Sequence, residues 1–166
     1  METAAGYDEL DQGTQAENAD LEAVYLFRTG IEEMRFNQQG GRRITPRKET
    51  YPYFPPVANP LVWTHPETGR KVLNVSTLNI DHVIGQEGEA GDALIRRLIA
   101  HTLQPRFQYV HEWANNDMVL WDNRRTMHAA FGHPVSEIRV VHRTTIKGTV
   151  AMGRVYEDGA SAEAAE

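Results

Sequence analysis

Three segments in the second half of the chain read as strands, the first by an alternation of apolar and polar residues with a period of two, and that reading points the region to a β architecture. In the first, Phe107, Tyr109, His111 and Trp113 alternate with polar Gln108 and Glu112. Residues 118–123 form the second segment and residues 138–146 the third. Asn115-Asn116-Asp117 reads as the turn between the first two, because asparagine tolerates left-handed backbone angles. Leu61-Val62-Trp63 and residues 71–76 form a further strand pair around the Pro/Gly turn His65-Pro66-Glu67-Thr68-Gly69. Between the two β regions a helix is expected over 89–103, where Leu94, Ile95, Leu98, Ile99 and Leu103 share one face.

The first 36 residues read as helical, since Leu21, Val24 and Tyr25, then Ile31 and Met34, recur at helical spacing. Residues 37–60 change character, with Gly40-Gly41 followed by Pro46, Pro52, Pro55, Pro56 and Pro60. They read as a long loop, either a lid over a site or a connector. Residues 61–148 hold the strands and the one helix, and residues 151–166 read as a disordered Gly/Ala/Ser/Glu tail. A length of 166 residues suits one domain, here residues 1–150, better than two.

Charge and composition exclude several classes. The formal net charge is −6, with no basic stripe to neutralise phosphates, so no nucleic-acid partner is expected. Arg42, Arg43, Arg47 and Lys48 do cluster, but in a Gly/Pro-rich stretch that reads as a solvated loop. Absence of cysteine excludes disulfides, zinc–thiolate sites and cysteine nucleophiles. Neither a signal peptide nor a membrane span is visible, so a cytoplasmic protein without a membrane partner is expected.

Two neighbouring segments carry the chemistry, "WDNRRTMH" at 121–128 and "RVVHRTT" at 139–145. If the second is a strand, Arg139, Val141, Arg143 and Thr145 share one face, and Ile138, Val140, His142, Thr144 and Ile146 share the other. Two arginines on an interior face would be costly without anionic partners. A guanidinium fork matches a carboxylate or sulfonate bidentately, so two anionic groups bound inside would explain them. On a solvent-facing strand the same arginines are simply solvated, and the pattern weighs the two equally.

"WDNRRTMH", followed by the first arginine of "RVVHRTTI" eleven residues after His128, resembles the closing signature of the TauD/TfdA family of iron(II)/2-oxoglutarate-dependent dioxygenases. "NPLVWTHPETGRKVLNV" resembles that family's "HPLVRTHPETGRK" stretch, and "QPRFQYVHEWANNDMVLWDNR" resembles the strand pair leading to its distal histidine. Similarity runs from Met1 to about Gly148; Asn59 and Asn116 depart from the family's usual His and Gly. The resemblance implies a double-stranded β-helix (jelly roll), mainly β with flanking helices. It implies His128 as the distal iron ligand, Arg139 as the partner of the distal carboxylate of 2-oxoglutarate, and Thr126 as a residue lining the cosubstrate site. Arg143 would reach an anionic group on the primary substrate, a sulfonate, sulfate ester or carboxylate. The implied cofactors are Fe(II) and 2-oxoglutarate, and the implied reaction is hydroxylation of a small anionic organic substrate with O2.

The family's other two ligands come from an upstream His-x-Asp motif. None of His65, His82, His101, His111, His128, His133 and His142 is followed two residues later by Asp. His65-Pro66-Glu67 has an acid at that position, but its proline suits a turn rather than a ladder strand, and it matches a non-ligand stretch of the family. His142 is expected to be packed or hydrogen-bonded, and the remaining histidines structural or exposed. "METAAGYDELD" resembles the helix that follows the His-x-Asp region, so the chain is expected to be a fragment, its barrel incomplete on the N-terminal side and unable to bind iron alone. The alternatives are an inactive remnant that keeps the anion-binding arginines, and an interaction protein completing its barrel with another chain. Homo-oligomerisation stays open.

Overall fold

The computed structural model describes residues 1–28, 33–37, 51–130, 133–134 and 136–157. Ile31, the basic group Arg42, Arg43, Arg47 and Lys48, most of the 37–60 segment and residues 158–166 lie outside these.

Helix α1 (Thr3–Asp8) starts where the Glu2 carboxylate accepts the Ala4 N–H at 3.2 Å. Helix α2 (Gln12–Asn18) is capped by Asp11, which accepts the Thr14 N–H at 2.9 Å and its hydroxyl at 2.6 Å. The expected helical register does not continue beyond it. Glu22–Tyr25 is strand β1, with Ala23 and Val24 both buried. The Leu21/Val24/Tyr25 spacing fits a helix, but pairing on both edges of β1 overrides it, and β-branched Val24 suits the strand.

Strand β2 (Val57–Pro60) lies at the end of the segment expected to be loop, and pairs antiparallel with β1. A hairpin follows, β3 (Val62–Thr64) against β4 (Lys71–Leu73), as the turn residues predict. Its turn includes Gly69 at φ +70, a conformation that favours glycine, and is closed by Gly69 N–H to His65 O at 2.9 Å. Strand β5 (Ile80–Val83) completes the other edge of β1. Arg154–Val155, inside the expected tail, adds to β2 as β6 and gives the antiparallel order β5-β1-β2-β6.

Helix α3 (Glu89–Thr102) forms where the apolar periodicity predicts it. Glu89 and Asp92 sit in its first turn and His101 in its last, all in the favourable sense for the helix dipole. Leu94, Ile95, Leu98 and Ile99 pack onto Ala23, Leu61, Leu73, Val75, Ile80 and Val83, and this is the principal core. Burying each such leucine or isoleucine stabilises the fold by roughly 1.5–3 kcal/mol. At its edge Arg28 and His82 converge on Asp81. Burial pushes the Asp81 carboxyl up, but hydrogen bonds from His82 and Arg28 and the charges of Arg28 and Arg35 outweigh it, holding the group below its usual range.

After α3 the architecture departs from expectation. Pro105–Phe107 is a short 3-10 turn, and the segments 107–113, 118–123 and 138–146 join no ladder among the described residues. The turn between the first two does form, with Asn116 at φ 71 and Asp117 accepting the Ala114 N–H at 2.8 Å. Tyr109, Met118, Leu120, Ile138 and Ile146 are exposed. Alternation reports which residues could share a sheet face; it does not provide the neighbouring strand. No described strand lies alongside these segments, and the described residues form no closed barrel.

Candidate active site

Asp122 organises the chain around the motif that carries the candidate residues. Its Oδ1 accepts the Arg124 N–H at 2.8 Å, and its carbonyl accepts the Thr126 hydroxyl at 2.6 Å. This is the side-chain-to-backbone turn that aspartate favours. The remaining oxygen, Oδ2, lies 2.8 Å from His65 Nε2. Burial raises the Asp122 carboxyl, but the Arg124 N–H, the His65 hydrogen bond and the charge of Arg124 more than compensate and hold it below its ordinary value.

Residues 125–127 are tied to the start of the chain. Thr3 donates both its N–H, at 2.9 Å, and its hydroxyl, at 2.7 Å, to the Arg125 carbonyl. Met127 N–H donates to Met1 O at 3.0 Å, and Glu2 pairs with Arg125 at 3.0 Å. Glu2 and Thr126 form a β-bridge. The backbone entering His128 is therefore held on two sides, by the hairpin through Asp122 and by the segment leading into α1.

His128 lies with its ring 5.0 Å from that of Trp121. His128 is exposed overall; the partial burial of its ring lowers its pKa first, followed by the positive charges of Arg143 and the Met1 ammonium. These influences favour the neutral imidazole, the form whose lone pair can bind a metal or accept a hydrogen bond. Thr126 is half-buried and lines a cavity of about 110 Å³ together with Thr3, Trp63, Ser76, Asn123, Arg124 and Met127. His128, Arg139 and Arg143 do not line it.

The structure thus brings together part of the expected set. Thr126 and His128 share one fixed segment, and Arg143 acts electrostatically on His128. Arg139 is exposed and joins neither. Among the described residues Arg139 and Arg143 make no ion pair, whereas Arg28, Arg35, Arg70, Arg96, Arg97, Arg106, Arg125 and Arg154 each do. The shared arginine face does not form, because residues 138–146 join no sheet. His142, expected to be packed or hydrogen-bonded, is exposed.

His65 is engaged elsewhere, as its proline-containing turn suggests. It is 2% exposed, and its Nδ1 accepts the N–H groups of Glu67 and Thr68 at 3.3 and 3.2 Å. The proton therefore sits on Nε2 and is donated to Asp122. Both ring nitrogens are occupied, which removes His65-Pro66-Glu67 as a replacement ligand pair. His82, His101 and His111 are held by Asp81, the Gly6 carbonyl and Asp117. No three His, Asp or Glu side chains converge into a metal-binding group among the described residues. The residues missed in the sequence are His65 and Asp122 as a pair; the signal available was that each lies in a motif, but no spacing joins motifs 57 residues apart.

The model of the taurine catabolism dioxygenase TauD, TfdA family matches residues 2–145. An alpha-ketoglutarate-dependent 2,4-dichlorophenoxyacetate dioxygenase of Burkholderia sp. (strain RASC) is 31% identical over 151 residues, 87% of this chain and 46% of that protein. An (S)-phenoxypropionate/alpha-ketoglutarate-dioxygenase of Sphingobium herbicidovorans is 30% identical over 152 residues, 89% of this chain and 50% of that protein. Among solved structures, AAD-2 in complex with Mn(II) and N-oxalylglycine superposes with a TM-score of 0.60 at 34% identity, over 75% of this chain and 46% of that one. A taurine dioxygenase from Burkholderia xenovorans gives 0.51 at 24% identity over 68% and 33%, a likeness of fold. The chain spans about half the length of the curated relatives it matches. Among the described residues no helix is long and apolar enough to cross a membrane.

Proposed function

Starting from a chain that belongs to the taurine catabolism dioxygenase TauD, TfdA family, we propose that it supplies the distal half of an iron(II)/2-oxoglutarate-dependent dioxygenase site. In this assignment His128 is the distal metal ligand, Arg139 binds the distal carboxylate of 2-oxoglutarate, and Thr126 stands beside the cosubstrate. Arg143 receives the anionic group of a small organic substrate that is hydroxylated with O2. Relatives named for 2,4-dichlorophenoxyacetate and (S)-phenoxypropionate favour a carboxylate as that group. The observation that carries the assignment is His128 at the end of a segment anchored on two sides, with its ring 5.0 Å from that of Trp121.

The described residues alone do not fit the metal. They offer one imidazole, whereas the facial arrangement expected for such iron needs a second imidazole and a carboxylate. We assign those donors to the strands that would complete a jelly roll by covering residues 107–146, in a cytoplasmic enzyme. Exposed Met118, Leu120, Ile138 and Ile146 support this, since they are large apolar side chains in segments that join no ladder among the described residues.

A second function is favoured by the freedom of Arg139 and Arg143 from ion pairs: an anion-binding module that performs no turnover. One experiment separates the two. The 166-residue chain is purified alone and co-expressed with the part of the Burkholderia 2,4-dichlorophenoxyacetate dioxygenase that lies outside the region it matches, and each preparation is titrated with Fe(II) and 2-oxoglutarate without oxygen. Stoichiometric iron with a 2-oxoglutarate-dependent visible charge-transfer band in the co-expressed preparation only is the expected result. If 2-oxoglutarate binds the single chain and the co-expressed pair takes up no iron, the module is correct and the dioxygenase assignment fails.

A further inference from the structure

We propose that His65 and Asp122 form a positioning pair that sets the direction of the His128 imidazole. The inference rests on His128 being the functional imidazole, and adds to that assignment two residues that touch neither metal nor substrate.

His65 is buried at the end of β3, where the hairpin fixes it through two backbone bonds. Its N–H donates to Arg70 O at 2.8 Å, and its carbonyl accepts the Gly69 N–H at 2.9 Å. With Nδ1 accepting from the turn, Nε2–H has one direction left and donates to Asp122 Oδ2 at 2.8 Å. Asp122 passes that position on. Its second carboxylate oxygen and its carbonyl bind Arg124 and Thr126, so the backbone from 122 to 126 follows from where the carboxylate is held. His128 comes two residues later, and the ring it packs on belongs to Trp121, directly before Asp122. Both partners in that ring contact therefore depend on the same carboxylate.

The chemistry explains the choice of histidine. The position needs an acceptor on one side and a donor on the other, across the width of a ring, in a buried place where a lone polar atom is costly. Asparagine can reproduce the acceptor facing the turn but does not reach Asp122. Glutamine can place an amide donor near the Nε2 position. The hairpin itself is closed by backbone bonds, so losing the link to Asp122 does not open it.

Two-bond 1H–15N correlation spectra of the 166-residue protein test this directly. In the wild type, His65 should show the Nε2–H tautomer, and the His128 ring protons should be displaced from free-histidine positions by the Trp121 ring. His65→Asn should remove that displacement while the Glu67 and Thr68 amides stay near their wild-type shifts. His65→Gln should keep at least about half of it, and Asp122→Ala, which leaves the hairpin intact, should abolish it. Persistence of the displacement in both His65→Asn and Asp122→Ala, or an Nδ1–H tautomer at His65, would overturn the proposal. Because these spectra contain neither metal nor 2-oxoglutarate, a failed iron titration leaves this result standing, and the two failures are told apart.

Discussion

Truncating one buried and one exposed aliphatic side chain probes the central asymmetry of this structure, a packed first part and an uncovered second. Leu98 is fully buried in α3 against the sheet, whereas Ile138 is 95% exposed. Leu98→Ala removes buried methylenes and leaves a cavity, which costs roughly 3–5 kcal/mol. With a urea dependence of ~1–3 kcal/mol per molar, the unfolding midpoint should fall by about 1–5 M. Ile138→Ala removes atoms that water already reaches, so it should change stability by no more than ~0.5 kcal/mol. Urea unfolding followed by far-ultraviolet circular dichroism compares the two in the purified chain. In the co-expressed assembly, Ile138→Ala should become costly, by about 1–3 kcal/mol, if that segment is then covered. A large loss from Ile138→Ala in the single chain would mean that the segment is already packed, and the assignment of a covering half would fall with it.

Further outcomes follow from the charges. In the co-expressed assembly, Arg139→Ala should weaken 2-oxoglutarate binding about 10–100-fold, the worth of a charge-assisted bidentate contact, and Arg143→Ala far less; equal losses by calorimetry would undo their division of roles. His128 should titrate below its ordinary value of 6.5 by NMR. Since its folded pKa is depressed, the folded state holds fewer protons there than the unfolded chain, so this contribution to stability is present above that ordinary value and lost as pH falls through the lowered one. Asp81→Asn should destabilise the fold by about 3 kcal/mol in thermal or urea unfolding, because it leaves the largely buried Arg28 charge, whose Nη1 has no partner among the described residues, without its counter-ion.

What the sequence conveyed depended on how locally each feature is determined. The β3–β4 hairpin, α3 and the Asn116 turn are set by residues within one element, and each was legible in spacing and turn chemistry. Strand β1 is not legible locally, because Leu21, Val24 and Tyr25 satisfy a helical period, and only its two neighbours decide otherwise. For residues 107–146 the pattern gave a pairing preference, which no described strand satisfies. For the candidate site, the resemblance implied Thr126, His128, Arg139 and Arg143; the structure places the first two on one segment, with Arg143 influencing the imidazole electrostatically and Arg139 apart from them. The His65–Asp122 bond was invisible because it joins two motifs through space alone.

The β-bridge between Glu2 and Thr126 also has a consequence for the order in which the protein is made. Residues near the start of the chain must wait for a partner more than a hundred positions later before their bonds can close, and such distant pairings form slowly. During translation β1 to β5 and α3 can gather first, the segment that aims His128 joins after them, and β6 closes the sheet last. Slowed elongation after Thr126 should therefore favour correct assembly more than slowing anywhere before it.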